Sequence, residues 1–181
     1  MLAVYCTALP FLHTSPMDFS HIVKKLKSIQ KKRPTSLVFA VFALLVFVFY
    51  GNTLFNGFVL DDKPVIQENP FIQSLKYLPK TVTGCMWEAA HGKCLGRTNY
   101  YRPAQALSYL LTYQISSYAA VFHAVNLLYI LTAAFLVFVY ARKLRDDFVF
   151  AFVAGFLFLV HPVNNEAANW ISGIPDILFG I

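Results

Sequence analysis

The feature that most constrains this chain is a series of long apolar segments separated by short charged ones. The first segment runs from Leu37 to Tyr50 almost without a polar side chain, continues to Leu60, and meets Asp61 and Asp62. A charged side chain at the centre of a bilayer costs roughly 2.5–3.5 kcal/mol on insertion scales, so the acidic pair is expected at or beyond the interface. The sequence therefore predicts a membrane span with two adjacent carboxylates at its exit.

The composition also indicates a membrane protein. Hydrophobic residues make up 57% of the 181 residues and charged residues 13%, whereas soluble domains carry about 25% charged residues. Nine of the 15 Lys and Arg residues lie in two short segments, 24–33 and 142–145, which the positive-inside rule assigns to the cytoplasm. Topology and contact with anionic lipid account for these charges, so no nucleic-acid partner is predicted.

The spacing of the apolar segments predicts an all-α integral membrane protein whose N-terminus lies in the cytoplasm. Residues 1–36 form a basic cytoplasmic segment, and residues 37–181 form the transmembrane domain. The predicted spans are at about 37–58, 118–140 and 146–160, with the start of a fourth at 174. Residues 59–117 and 161–173 are predicted external loops. We expect the chain, which ends within the fourth apolar run, to be part of a longer protein.

The large first loop is predicted to contain short helices. The stretch from Pro103 to Tyr140 carries no Asp, Glu, Lys or Arg and is too long for one span at about 1.5 Å per residue. We therefore predict an interfacial or re-entrant helix at Pro103–Ile115 and a break at Ser116–Ser117. A second interfacial helix is predicted at Pro70–Leu78.

Two cysteines of the same loop admit three interpretations. Cys85 and Cys94 lie in a segment assigned to the non-cytoplasmic side, where a disulfide can form. They could equally remain free thiols. With His91 between them a metal site is conceivable, but a fourth ligand is missing.

Polar residues at the external ends of the predicted spans form the candidate site. Topology brings Asp61, Asp62, Arg102, His161 and Glu166 to one face of the membrane. A carboxylate there could deprotonate a hydroxyl, while the cationic groups hold an anionic leaving group such as phosphate. The structural alternatives are that the acids end a span, that Arg102 extends to lipid headgroups, and that His161 ends a helix.

A buried polar pair adds a further candidate. His123 and Asn126 are three residues apart and lie on one helix face. They are expected to form hydrogen bonds within the helix bundle, with a substrate role as the alternative.

Four segments of the chain resemble a known family. They read NGFVLDDKPVIQENP from Asn56, YYRPAQALSYLLTYQI from Tyr100, FHAVNLLYI from Phe122 and FLVHPVNNEAANWISGIPDIL from Phe158. In this order and spacing they resemble the N-terminal membrane region of the TMTC-type O-mannosyltransferases, which carry tetratricopeptide repeats and belong to the GT-C superfamily of glycosyltransferases. The resemblance covers roughly residues 37–181.

The resemblance implies a GT-C-like multi-span helical bundle, represented here by its N-terminal part with about three to four transmembrane helices. It implies a glycosyltransferase that moves a sugar, mannose in this family, from a polyprenyl- or dolichyl-phosphate donor to a protein Ser or Thr hydroxyl on the external or luminal face. Asp61 and Asp62 match the family's catalytic acids. Arg102, His161 and Glu166 match motifs that contact the donor phosphate or substrate. No metal ligand is assigned and no cofactor is certain, although some relatives use a divalent metal.

The chain departs from the family pattern at several positions, and Asn164–Asn165 stand where the family has His-Thr. Leu60 stands where the family usually has an aromatic residue, and Ile174 stands where it commonly has Arg. We expect the fragment alone to be inactive. A truncated, non-catalytic membrane anchor or scaffold is the alternative function, and a bacterial inner membrane or the endoplasmic reticulum membrane is the predicted location.

Overall fold

The computed structural model describes residues 35–92 and 101–179. These residues are mostly helical, and none of them forms a β-strand. In chain order the helices are α1 (Thr35–Tyr50), α2 (Leu78–Thr83), α3 (Glu88–His91), α4 (Pro103–Ile115), α5 (Ala119–Leu144), α6 (Phe148–Val160), α7 (Val163–Asn169) and α8 (Ile174–Leu178). Shorter helical turns lie at Gly51–Phe55, Lys63–Gln67, Pro70–Ile72, Leu75–Tyr77 and Ile171–Gly173. The predicted all-α class is confirmed.

Two helical segments are long and apolar enough to cross a membrane. They are Thr35–Phe55, which is α1 with its following turn, and α5, with 21 and 26 residues. Helices α6 and α7 qualify only as a pair bent by 64°, so the described residues contain two candidate spans, or three if the bent pair is one. The fourth span, expected from residue 174, stays a prediction.

The apolar helices pack through one buried stripe and one point of close approach. Val38, Phe42 and Val46 lie four residues apart on α1 and are buried. At Gly155 of α6, an added Cβ would lie 2.7 Å from a ring carbon of Phe42 and 2.9 Å from the carbonyl oxygen of Ala134. Glycine therefore lets α1, α5 and α6 approach closely, as small residues do in membrane bundles.

Asp147 and Ser116 define two of the helix ends. The Asp147 carboxylate accepts hydrogen bonds from the backbone N–H groups of Val149 and Phe150 and thereby caps the N-terminus of α6. Ser116 is extended after Ile115, so α4 ends where the serine pair was expected to break the chain. The predicted helix at Pro103–Ile115 is confirmed, while its interfacial placement stays a prediction.

The predicted helix at Pro70–Leu78 is wrong. This segment forms two short 3₁₀ turns, because the extended Ser74 between them interrupts the helix. The Asn69 side chain caps the first turn by accepting a hydrogen bond from the Phe71 N–H. The α-helix begins only at Leu78, with Pro79 in its first turn, where proline is favoured.

Part of the sequence prediction falls outside the described residues. This applies to nearly all of the basic segment 1–36 and to Cys94. Cys85 is disulfide-bonded, so the free-thiol interpretation is wrong for this cysteine.

Candidate active site

The two adjacent aspartates are separated by a tight turn at the end of the first apolar segment. Leu60 adopts a left-handed conformation with φ of 47°, which is unusual for a residue other than glycine. The turn is closed by the Asp62 N–H, which donates to the Val59 oxygen over 2.9 Å, and by the Val59 N–H, which donates to Asp62 Oδ2 over 3.1 Å. The carboxylates consequently lie in different environments, with Asp62 fully buried and Asp61 half-buried.

Asp62 joins the first loop to the turn at Ile171–Gly173. Its Oδ1 accepts hydrogen bonds from the Ser172 N–H over 3.0 Å and from the Ser172 hydroxyl over 2.6 Å. A buried carboxylate is tolerated only when such donors replace its water shell. Asp62 therefore fixes the first loop against Ser172, 110 residues away. It does not line the cavity described next.

Asp61 lies at a polar cavity of about 250 Å³. Two other charged residues line this cavity: Arg102, immediately before α4, and Asp176, in α8. The uncharged lining residues are Val65, Met86, Trp87, Gln105, Trp170, Ser172, Gly173 and Pro175. We refer to this space as the polar cavity. It brings together two of the predicted site residues, Asp61 and Arg102.

Helix α4 holds the cavity wall at Ile171–Gly173 through two side chains. Gln105 Nε2 donates to the Ser172 carbonyl over 3.3 Å and to the Tyr109 hydroxyl over 2.8 Å. Tyr109 in turn donates to the Ile171 carbonyl over 2.9 Å. Burial raises the pKa of the Tyr109 phenol above its usual value, which keeps this hydroxyl protonated as a donor.

Helix α5 holds the same wall through Asn126. The Asn126 amide donates to the carbonyl oxygens of Trp170 over 3.0 Å and Ala167 over 3.4 Å. Asn126 and His123 are both 1% exposed, and neither lines the polar cavity. Of the two interpretations of this pair, hydrogen bonding within the bundle is confirmed for Asn126.

His161 and Glu166 lie elsewhere. His161 is exposed at the C-terminal end of α6, where its Nδ1 accepts a hydrogen bond from the Val163 N–H over 3.2 Å. Glu166 is exposed on α7. Neither residue lines the polar cavity, so the structure does not bring them to Asp61 and Arg102.

A second, mostly apolar cavity of about 250 Å³ adjoins the polar one. It shares Arg102, Gln105 and Pro175 with the polar cavity. Its remaining lining residues are Tyr101, Pro103, Ala104, Leu178 and Phe179. We call it the apolar cavity. Arg102 is the charged residue that lines both spaces.

Sequence reasoning missed several cavity residues. Asp176 had a usable signal, since it is the lone charge in the apolar run from Ile174 to the end of the chain. Both tryptophans of the chain, Trp87 and Trp170, line the polar cavity. Gln105 gave no signal in the sequence, because one amide in a helix is unremarkable without knowledge of its neighbours.

Among residues 35–92 and 101–179, no group of three or more His, Cys, Asp and Glu side chains is placed to hold a metal ion. Asp61 and Asp176 are the two carboxylates at the polar cavity.

Comparison with known proteins identifies relatives of one kind. The chain is 32% identical over 140 residues to the protein O-mannosyl-transferase Tmtc1 of Drosophila melanogaster. It is 33% identical over 141 residues to Tmtc2 of the same organism and 28% identical over 133 residues to human TMTC3. These alignments cover 73–74% of this chain.

The chain belongs to the TMTC-type protein O-mannosyltransferase family. It spans 14–16% of the length of these three relatives. No family model matches the chain, and no solved structure matches it. Its two or three apolar helices, together with this family membership, indicate a membrane protein.

Proposed function

We propose that this chain forms the donor-binding and catalytic face of a GT-C-type protein O-mannosyltransferase. Mannose would pass from a polyprenyl- or dolichyl-phosphate donor to a protein Ser or Thr hydroxyl on the external or luminal face of the membrane. The names of the relatives support the reaction class. Because the chain spans a small part of those relatives, the activity is proposed for the whole protein.

The observation that carries this proposal is the position of Arg102 between a polar and an apolar cavity. A polyprenyl-phosphate sugar has a polar ring, an anionic phosphate and a hydrocarbon chain, in that order. The polar cavity suits the ring, and the apolar cavity suits the first isoprene units. A guanidinium between them suits the phosphate, which arginine binds through charge-assisted hydrogen bonds. The chemical order of the donor thus matches the order of the two cavities.

In the proposed mechanism, Asp61 is the general base. It accepts the proton of the acceptor hydroxyl as the hydroxyl oxygen bonds to the anomeric carbon. The bond between that carbon and the phosphate oxygen breaks, and the polyprenyl phosphate leaves with its negative charge next to Arg102. Attack opposite the leaving group inverts the anomeric centre.

The remaining predicted site residues have other roles in this proposal. Asp62 acts as a positioning residue, because its carboxylate holds the Ser172 segment that forms the cavity wall. His161 and Glu166 are proposed to contact the acceptor protein outside the polar cavity, since both are exposed.

Sugar transfer by membranes that contain the protein tests the assignment of Asp61. The assay uses polyprenyl-phosphate-linked mannose and a Ser/Thr-rich acceptor. A positioned base contributes about 10²- to 10⁴-fold, so Asp61→Asn should lower the transfer rate by that factor. The matched control is Asp146→Asn, the same change at a residue whose side chain is 93% exposed and paired with Arg142.

The two variants together separate the candidate functions. Loss of transfer in Asp61→Asn with full transfer in Asp146→Asn supports the enzyme. Full transfer in both variants overturns the role of Asp61. No transfer by the wild type with any lipid-phosphate sugar would favour the non-catalytic anchor or scaffold.

A further inference from the structure

Two residues that line the polar cavity each carry a buried hydrogen-bonding atom that has no protein partner. Within the described part of the chain, these atoms are Oε1 of Gln105 and Nε1 of Trp170. Gln105 is only 3% exposed. Leaving buried polar atoms unpaired is costly, and such atoms in a native protein usually indicate a bound water or ligand.

The orientation of the Gln105 amide follows from its neighbours. Its Nε2 faces the Ser172 carbonyl, which can only accept a hydrogen bond. The same Nε2 donates to Tyr109, whose own proton is directed to Ile171. The amide group therefore cannot be reversed without losing both bonds, and its oxygen is left as an unused acceptor.

The backbone around Trp170 is fixed in a similar way. Its carbonyl accepts from Asn126, and its N–H donates to the carbonyl of Glu166 over 2.9 Å. Gly173 lies so close to α7 that an added Cβ would be 3.0 Å from Cα of Ala167. The backbone that carries the indole is thus held in place, which favours a preformed binding position.

A donor and an acceptor at one cavity are the groups that recognise hydroxyls. A hydroxyl can donate one hydrogen bond and accept two, so sugar hydroxyls offer a donor to Gln105 Oε1 and an acceptor to Trp170 Nε1. The cavity is also lined by two indole rings, Trp87 and Trp170, which offer broad apolar faces to the C–H side of a sugar ring. Its volume of about 250 Å³ lies just below the usual range of about 300–1,000 Å³ for small-molecule sites, which suits one ring.

We propose that Gln105 and Trp170 form a sugar-binding subsite that holds hydroxyl groups of the transferred hexose. This inference rests on the proposed function, because it assigns the polar cavity to the sugar of the lipid-linked donor. Gln105 and Trp170, which the sequence did not predict as site residues, would determine specificity for the sugar. Asp61 remains the general base, and Arg102 remains the residue that binds the phosphate.

The test compares two ligands that differ only in the sugar. Binding of short-chain polyprenyl phosphate and of short-chain polyprenyl-phosphate mannose is measured by scintillation proximity, with the protein in lipid nanodiscs. In Trp170→Phe, which keeps an aromatic ring but loses the N–H, we expect the mannose ligand to bind about three- to tenfold more weakly. Binding of the sugar-free ligand should stay within about twofold, and Tm should not fall, because the lost N–H has no protein partner.

A second variant pair tests the hydrogen-bond acceptor of the subsite, Gln105 Oε1. Gln105→Met should weaken binding of the mannose ligand by a similar factor. Gln114→Met is its matched control, since Gln114 lies on the same helix and donates to the Leu110 and Ile72 carbonyls but lines neither cavity.

The outcomes distinguish the subsite from the proposed function. Selective loss of the mannose ligand in Trp170→Phe and Gln105→Met supports the subsite. Wild-type binding of the mannose ligand by both variants overturns the subsite and leaves the proposed function standing. If both ligands bind equally more weakly and Tm is lower, these residues have only a structural role, and the subsite is also overturned. If the wild type binds neither ligand, the proposed function fails and the subsite fails with it.

Discussion

The substitution Asp62→Asn should destabilise the protein, whereas the adjacent Asp61→Asn should not. The buried Asp62 carboxylate accepts from Ser172 at Oδ1 and from Val59 at Oδ2. Asparagine has a single acceptor oxygen. Whichever way its amide turns, the NH₂ group faces a backbone N–H, so at least one backbone donor loses its acceptor.

The magnitude follows from the bond that is lost. The better arrangement keeps the amide oxygen on Ser172 and gives up the bond from Val59. A hydrogen bond to a charged group contributes about 1.5–3 kcal/mol, and removing a buried charge recovers part of that loss. We therefore expect the free energy of unfolding to fall by about 1–3 kcal/mol, which corresponds to a Tm lower by roughly 2–12 °C for a chain of this size.

Thermal unfolding in detergent, followed by tryptophan fluorescence, measures this effect. Asp61→Asn is the matched control, because no described residue donates a hydrogen bond to the Asp61 carboxylate, which lines the polar cavity. Ser172→Ala removes the 2.6 Å hydroxyl bond to Asp62 and should also lower Tm. The double variant should then lose less than the sum of the two single losses.

Two results would refute the reasoning. A Tm of Asp62→Asn within about 1 °C of the wild type would show that the carboxylate does not hold the loop. Equal decreases for Asp61→Asn and Asp62→Asn would show that the turn at Leu60 does not separate their roles.

Two further predictions concern packing and pH. Gly155→Ala places a methyl group 2.7 Å from the Phe42 ring and should lower the free energy of unfolding by about 1–3 kcal/mol through overpacking. Gly57→Ala is the control and should leave Tm nearly unchanged, because no atom lies within 4 Å of the added Cβ. Similar Tm values for both variants would contradict the tight helix contact. Because the pKa of the buried Tyr109 is raised, the unfolded chain releases a proton above about pH 10 that the folded protein keeps. Tm should therefore fall between pH 9 and pH 11, and it should fall less in Tyr109→Phe. Parallel pH profiles of Tm for the wild type and the variant would contradict this assignment.

The sequence alone determined the long apolar helices of this protein and the helix at Pro103–Ile115. Long apolar segments of Leu, Val, Phe and Ala leave a membrane helix as their stable form, and Pro103 and Ser116 bound α4 because both act through local backbone geometry. The prediction for the segment Pro70–Leu78 is wrong, because its composition allows a helix while the extended Ser74 interrupts it.

The acidic pair shows what the local sequence could not predict. Because Asp61 and Asp62 are adjacent, the sequence predicts that both are catalytic acids at one site. The left-handed Leu60 turn and the partner Ser172, 110 residues away, place one carboxylate at the polar cavity and bury the other.

The tertiary structure alone decided which residues share a cavity. Arg102, Gln105, Trp170 and Asp176 come from separate segments, and their meeting depends on how α4, α5 and α8 pack. Helix formation is governed by neighbours along the chain, which a sequence displays directly. A site built across segments depends on long-range packing and on hydrogen bonds such as those of Asp62 and Asn126, and these exist only once the chain has folded.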